Sequence, residues 1–427
     1  MVQTTRRNVL KYSGSGLLAS LVGATTVSGA AKQPVFIHGA NNSQSHAAAA
    51  AHDHGGAVVY NYENFDFVAA RVPNKAIEDV RVDKRVSHIE QDSVVSLATP
   101  TEIGQVGKNN RKGNSGNSGG SGGCPSHPDQ RTPWGYDRID ADLVTEATGT
   151  GVNVGILDTG IQLDHCDLTV DHGTNFTTEN QNDYSDDNGH GTHVAGIVAA
   201  TDNTHGTVGI APDSTLWSVR VLDQTGSGYW SDITAGLDWC MSSGIEIISM
   251  SIGGSYNDSV ATAISEADDA GHLVVCSAGN GGNNEDGSCE EENMVFPATH
   301  SSTIAVAGMD EDNQSDTFLG EYSSLGTAVD LLAPGTNVLS TYIGNDYRQM
   351  TGTSMAAPHV TGVASLVWET MGASLTDEDG DSTTAEPNDK IQDILLTSAE
   401  TVLGTCEEGA GLVNAAAAVD EAVTRLN

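Results

Sequence analysis

The chain has 427 residues, with 57 Asp and Glu against 18 Lys and Arg and a formal charge of −39. A nucleic-acid binder needs a basic face, so this balance argues against nucleic acid as a partner. Hydrophobic content of 38% with 5% aromatics is low, but it is not a disordered composition, and no apolar run suits a multi-span membrane protein.

The charge is unevenly placed. Residues 1–123 carry a net +3 and residues 124–427 a net −42, with Lys390 the only lysine in that second part. A folded domain with that excess repels itself in dilute buffer. In molar salt the Debye length falls to about 3 Å and the repulsion is screened. The pattern implies adaptation to high salt.

Thr5-Arg6-Arg7-Asn8-Val9-Leu10-Lys11 precedes a weakly apolar, Gly/Ser-rich stretch from Gly14 to Val27, then Ser28-Gly29-Ala30-Ala31. A basic start, a short apolar middle and a small-residue end make residues 1–31 a signal peptide, and the paired arginines resemble a twin-arginine (Tat) signal. The expected destination is extracellular, with no stable membrane insertion once the signal is removed.

Residues 32–100 read as a small α+β domain. Strands are predicted at Pro34–Ile37, Ala57–Tyr60, Phe67–Val72, Val86–Glu90 and Val94–Leu97, with a short helix over Asn74–Val80. Residues 101–123, ending in a Gly/Ser/Asn run, read as a flexible linker that proteases nick easily. From Cys124 the pattern becomes an alternation of strand and helix. Strands are predicted at Val152–Leu157, Leu216–Leu222, Ile245–Ser251, Leu273–Ala278, Thr303–Ala307 and Val329–Ala333. Helices are predicted at His190–Ala200, Trp230–Ser243 and Ser259–Ala270. This spacing predicts an α/β domain over residues 124–427, with a mostly parallel sheet and helices on both faces.

Three segments carry chemistry. Val154-Gly155-Ile156-Leu157-Asp158-Thr159-Gly160 is a buried strand ending in a carboxylate. Asn188-Gly189-His190-Gly191-Thr192-His193 opens a small-residue helix. Gly352-Thr353-Ser354-Met355-Ala356-Ala357-Pro358-His359 puts a serine at the start of another. A serine hydroxyl needs a base to become a nucleophile, histidine is that base near neutral pH, and a buried Asp orients the imidazole. A carboxylate at the carboxyl end of a parallel strand lies where α/β sheets place ligands.

All three segments, in the order Asp, His, Ser, resemble the signatures of subtilisin-like serine proteases (subtilases), and the match runs from about Gln130 to the C-terminus. With the acidic bias and the Tat-like signal, the chain is most similar to the secreted haloarchaeal subtilases called halolysins. It departs from many halolysins in having no sizeable extension after the catalytic domain, so no substrate-recruiting role is carried over.

The resemblance implies a serine endopeptidase made as a zymogen, with a subtilisin-like three-layer fold. Its implied triad is Asp158, His190 and Ser354, with His193 and His359 structural. Asn280, at the end of the strand Val274–Ala278, is implied as an oxyanion donor together with the Ser354 N–H. Gly226-Ser227-Gly228 and Ser251-Ile252-Gly253 match the family segments that sandwich a peptide backbone, and Ala278 and Gly279 complete that wall. Val295 matches the floor of the pocket for the side chain before the scissile bond. An apolar preference of moderate size is expected there.

The resemblance also implies a structural Ca²⁺ held by side chains of Gln130, Asp167 and Asn203 and carbonyls of Thr201, His205 and Thr207, all oxygen donors as Ca²⁺ requires. No catalytic cofactor is expected, and no His/Cys spacing suggests zinc. Asp183, Asp186 and Asp187 read as acidic surface, with a second Ca²⁺ site as the alternative. The implied partners are protein or peptide substrates and the chain's own propeptide, residues 32–100, acting as an intramolecular inhibitor of a monomer. Among six cysteines, Cys276 reads as a buried free thiol, and Cys124 with Cys166 is the favoured disulfide.

Overall fold

The computed structural model describes residues 31–97, 101–105 (backbone), 129–177, 180–282, 293–311, 319–375 and 386–427. The expected signal peptide, nearly all of the linker, and Cys124 and Cys289 lie outside the described residues.

The N-terminal unit comprises β1 (Lys32–Gly39), α1 (Gln44–Asp53), β2 (Ala57–Asn61), β3 (Phe67–Pro73), α2 (Ile77–Arg81) and β4 (Val86–Gln91). Its strands form an antiparallel sheet in the order β2-β3-β1-β4. Side chains alternate across a strand, and here both faces are buried. Val35, Ile37, Val68 and Ala70 pack with Ala47, Ala51 and Val80 of α1 and α2. Phe36, Phe67 and Ala69 face the other way and share a core with Trp230, Ile233 and Val260 of the larger unit. Burying a phenylalanine stabilises by about 1.5–3 kcal/mol, so Phe36 and Phe67 make that second face a strong contact.

The chain continues through β5 (Val94–Ser96) and β6 (Thr101–Gln105), then α3 (Trp134–Arg138), β7 (Asn153–Asp158), β8 (Val170–Asn175), α4 (His190–Ala199), β9 (Thr215–Arg220), β10 (Ser227–Tyr229), α5 (Trp230–Ser243), β11 (Ile247–Met250) and α6 (Asp258–Asp269). It ends with β12 (Leu273–Ser277), β13 (Ile304–Met309), β14 (Leu331–Pro334), β15 (Val338–Tyr342), β16 (Asp346–Thr351), α7 (Thr353–Met371), α8 (Pro387–Thr397), α9 (Thr405–Glu408) and α10 (Ala415–Arg425).

Seven strands form a parallel sheet in the order β14-β13-β12-β11-β7-β9-β8. One core cluster joins Val154, Ile156 and Val275 to Val194 and Val198 of α4 and Val360 and Val363 of α7. The other joins Leu157, Ile248 and Val274 to Ile233 and Leu237 of α5 and Val260 and Ile264 of α6. Alternate residues of each strand thus face opposite helix layers, and the expected three-layer α/β architecture is present. From β7 the chain goes to the edge strand β8 and returns to β9 on one side, and from β11 it winds outward through β12, β13 and β14 on the other. The β7/β11 boundary is therefore the switch point, where such sheets bind ligands beyond the carboxyl ends of their strands.

Two segments differ from expectation. Residues 101–105, read as linker, form a strand antiparallel to β16, with Thr101 opposite Thr351 and Gln105 opposite Arg348. Thr101 and Ile103 are strand-formers, and the glycine-rich composition starts only after them. The helix expected over Asn74–Val80 is a 3₁₀ turn, Asn74–Ala76, running into α2. Among the described residues, no helix is long and apolar enough to cross a membrane.

Candidate active site

Asp158 closes β7 and is fully buried. Its side chain accepts the Thr159 N–H at 2.7 Å, and His190 Nδ1 stands 2.8 and 2.9 Å from its two carboxylate oxygens. His190 is the first residue of α4 and is itself buried. The helix start lies hard against the strand end: a Cβ on Gly191 would stand 2.2 Å from the Gly160 carbonyl oxygen. The pair therefore meets because Gly191 lets the helix start approach the backbone after β7.

Ser354 is the second residue of α7 and is buried at the same edge of the sheet. Its carbonyl accepts the Ser251 hydroxyl at 3.1 Å, which ties the start of α7 to the segment after β11. His190 Nε2 is buried and makes no hydrogen bond. The structure thus joins Asp158 to His190 directly but closes no His190–Ser354 bond, a contact that in free enzymes is often long until substrate binds.

Asn280 follows β12 through Gly279, whose φ of +115° only glycine adopts without strain. Its Oδ1 accepts both the N–H and the hydroxyl of Thr353, each at 2.9 Å, and Gly279 N–H donates to the Thr353 hydroxyl at 3.1 Å. The amide is thereby fixed beside the residue that precedes Ser354.

The expected peptide-binding segments also converge. Gly226 has φ +74°, and Ser227 and Gly228 form β10. Ser251, Ile252 and Gly253 follow β11. Val295 donates its N–H to the Ala278 carbonyl at 3.0 Å. A Cβ on Gly253 would stand 2.3 Å from the Val295 side chain, and one on Gly279 would stand 3.2 Å from it. Val295 is therefore wedged between both walls. Into the space between β10 and Gly253 comes β5: Ser227 pairs with Ser96, Gly228 with Val95 and Tyr229 with Val94, all antiparallel, and Ser96 bridges Gly253 on the other side. Leu97 N–H donates to the Gly226 carbonyl at 2.9 Å.

His193 and His359 are buried. Desolvation lowers the His193 pKa to about 3 and the His359 pKa to about 4. His193 Nε2 meets the Arg348 carbonyl and His359 Nδ1 the Met355 carbonyl. Both are therefore neutral packing groups near pH 7.

The expected Ca²⁺ residues gather around Asp167, which is fully buried. Asp167 accepts from Asn203 Nδ2 at 2.7 Å, the Thr207 N–H at 2.9 Å and the Tyr347 hydroxyl at 3.2 Å. Gln130 Nε2 stands 3.2 Å from the Thr201 carbonyl and 3.3 Å from that of Thr207. His205 joins the loop through its N–H to Asn203 Oδ1. A half-turn of the two amides brings their oxygens toward the same carboxylate and carbonyls, so the donor chemistry fits a hard cation. Among the described residues no group of three or more His, Cys, Asp or Glu is gathered to hold a metal. A set built on one carboxylate, two amides and carbonyls contains no such group.

Cys166 is disulfide-bonded, and its partner lies outside the described side chains. Cys276 is a free buried thiol as expected, and so is Cys240, with burial pushing both pKa values up.

Comparison with known proteins agrees with this architecture. The profile of the subtilase family matches residues 149–421. Subtilisin DY of Bacillus licheniformis is 42% identical over 252 residues, covering 57% of this chain and 88% of that protein. Alkaline elastase YaB of Bacillus sp. (strain YaB) is 39% identical over 292 residues, covering 68% and 70%. Subtilisin E of Bacillus subtilis (strain 168) is 34% identical over 316 residues, covering 73% of each. The chain belongs to the subtilase family and is a subtilisin-like serine endopeptidase.

Proposed function

We propose that the protein is an exported, salt-adapted endopeptidase of halolysin type, made as a zymogen, in which Asp158, His190 and Ser354 form the triad. Ser354 Oγ attacks the scissile carbonyl while His190 Nε2 takes its proton. Asp158 holds Nδ1 and stabilises the imidazolium. The Ser354 N–H and the Asn280 amide stabilise the oxyanion. His190 then delivers the proton to the leaving amine. Water, deprotonated by the same imidazole, hydrolyses the acyl-enzyme and restores Ser354.

The observation that carries this reading is the course of the chain from Val94 to Gln105. On one side of the junction it runs as β5 between Gly226-Ser227-Gly228 and Gly253, in the manner of an extended peptide. On the other it runs as β6 along β16, which leads into Gly352, Thr353 and Ser354. The boundary expected at residue 100 falls between these strands, and residues 98–100 lie outside the described residues. Residues 32–100 then act as propeptide and inhibitor, anchored by Glu90, which accepts the Asp258 and Ser259 N–H groups at the start of α6, and by Asp92, which accepts the Ser231 N–H at the start of α5. Acidic groups at helix N-termini are favourable.

Export through the Tat route, with residues 1–31 removed, fits the N-terminal motif, and the −42 charge of residues 124–427 fits work in brine. A Ca²⁺ held by Gln130, Asp167, Asn203 and the carbonyls of Thr201, His205 and Thr207 supplies local positive charge that ties the loop after α4 to the rest of the domain. The test is Ser354→Ala precursor incubated alone in molar NaCl. It is expected to stay full length while wild type is cut near residue 100; equal cutting of pure Ser354→Ala protein refutes self-maturation.

A further inference from the structure

The loop ahead of α4 carries a second buried carboxylate that the proposed chemistry does not use. Asp186 accepts five hydrogen bonds. Its Oδ1 takes the Thr159 hydroxyl and the N–H groups of Asn188 and Gly189, each at 2.9 Å. Its Oδ2 takes the Thr192 N–H at 3.0 Å and the Thr192 hydroxyl at 2.6 Å. All five partners donate, which suits an ionised carboxylate. Burial raises its pKa, and the bonds from Thr192, Gly189 and Asn188 oppose that rise.

The arrangement has a cause in the helix start. The N-cap of α4 is Gly189, at φ +111°, and a Cβ there would lie 2.3 Å from the Tyr342 ring. No capping side chain fits at that position, although the first N–H groups of a helix need acceptors. Asn188 Oδ1 takes the His190 N–H at 3.2 Å and the Thr159 hydroxyl takes that of Gly191, while Asp186, three residues upstream of the cap, takes the Gly189 and Thr192 N–H groups and orders both the Asn188 backbone and Thr159. It also reaches the other half of the site: Thr159, which donates to Asp186, accepts the Gly191 N–H at 3.0 Å and gives its own N–H to Asp158. One carboxylate therefore clamps the helix turn that carries His190 onto the strand end that carries Asp158.

We infer that Asp186 is a positioning residue, holding His190 in proton-transfer register with Asp158 through Thr159 and the first turn of α4. The inference rests on His190 being the base. Proton transfer demands that register: a misplacement of about 1 Å costs on the order of 10²-fold in rate. A simple helix cap would instead affect stability alone.

The experiment compares full-length wild type, Asp186→Asn, Thr159→Val and Thr159→Ser. Each is matured by immobilised trypsin, whose targets Lys108, Arg111 and Lys112 lie in the linker sequence, and the beads are removed. Values of kcat and KM are measured with a peptide anilide in molar NaCl, per mole of protein folded by circular dichroism. Asp186→Asn is expected to lower kcat by about 10- to 100-fold with KM within about twofold. Thr159→Val moves the same way by a smaller factor, and Thr159→Ser returns kcat to near wild type. A wild-type kcat with only a lower melting temperature, or a loss carried by KM, overturns the inference. If Asp186→Asn does not fold, the Thr159 pair decides by the same criteria. A silent wild type removes His190 as base and the positioning role with it, whereas an active wild type beside an unaffected Asp186→Asn removes the positioning role alone.

Discussion

The Thr353 hydroxyl donates to Asn280 Oδ1 at 2.9 Å, so the residue before Ser354 also orients the side chain proposed to stabilise the oxyanion. The two are 73 positions apart in sequence and meet because β12 and α7 end and begin at the same edge of the sheet. Removing one oxyanion donor costs about 10²–10³ in kcat. Asn280→Ala is expected to lose that factor at constant KM. Thr353→Val, which removes the hydroxyl bond to the amide and leaves the Thr353 N–H bond in place, should lose less, roughly tenfold. Wild-type kcat in Asn280→Ala would remove it from the oxyanion site.

Val295 contacts the positions of Gly253 and Gly279 and so limits the pocket between the two walls. Val295→Gly should open that pocket. Relative to wild type, kcat/KM for an aromatic side chain before the scissile bond should rise roughly tenfold against that for a small aliphatic one, the scale of one or two methylenes in an apolar pocket. An unchanged ranking of anilide substrates would place the pocket floor elsewhere.

His38 reports on the contact between the N-terminal unit and the peptidase unit. Its ring stacks on His88 at 3.9 Å, and its Nε2 meets the Ser259 hydroxyl at 2.8 Å. Burial and His88 lower its pKa to about 4, with Asp258 opposing. The folded full-length chain thus prefers neutral His38. Its contribution is intact above the unfolded value of about 6.5 and is lost as pH falls from there toward 4. Ser354→Ala precursor should therefore lose a few more degrees of melting temperature between pH 7 and pH 5 than the same protein carrying His38→Asn. Equal losses would show that this ring does not sense acid.

Chelation bears on the Asp167 loop. A bound ion at 100 times its Kd adds about 2.7 kcal/mol. EDTA should lower the melting temperature of the mature wild type in molar NaCl, and Asp167→Asn should melt low with or without EDTA. A melting curve for wild type that EDTA leaves in place would count against the ion.

Much of the fold and of the candidate site was legible in the sequence because the proposed residues sit at junctions. Asp158 ends an apolar strand, His190 and Ser354 start helices, and the glycines around Asp158 and His190 are needed by the close packing. Other parts were not legible. The helix α1 is built on Ala47–Ala51, whose uniform small side chains give no amphipathic stripe. The edge strand β8 carries Asp171 and His172 to solvent and lacks an apolar run. Asp186 looks like its acidic neighbours Asp183 and Asp187; only the fold separates it, burying it against Thr159 and Thr192 while Asp187 pairs with Arg220 at 2.6 Å. The two-sided burial of β1 and β3 depends on a partner surface far along the chain, and local alternation cannot name that surface.

The most direct test of the central claim is casein hydrolysis by purified protein in molar NaCl with Ca²⁺, with Ser354→Ala in parallel. Hydrolysis by wild type and none by Ser354→Ala is the expected result. Equal hydrolysis by both, or none by folded and processed wild type, would contradict the assignment of Ser354 as nucleophile of a general endopeptidase.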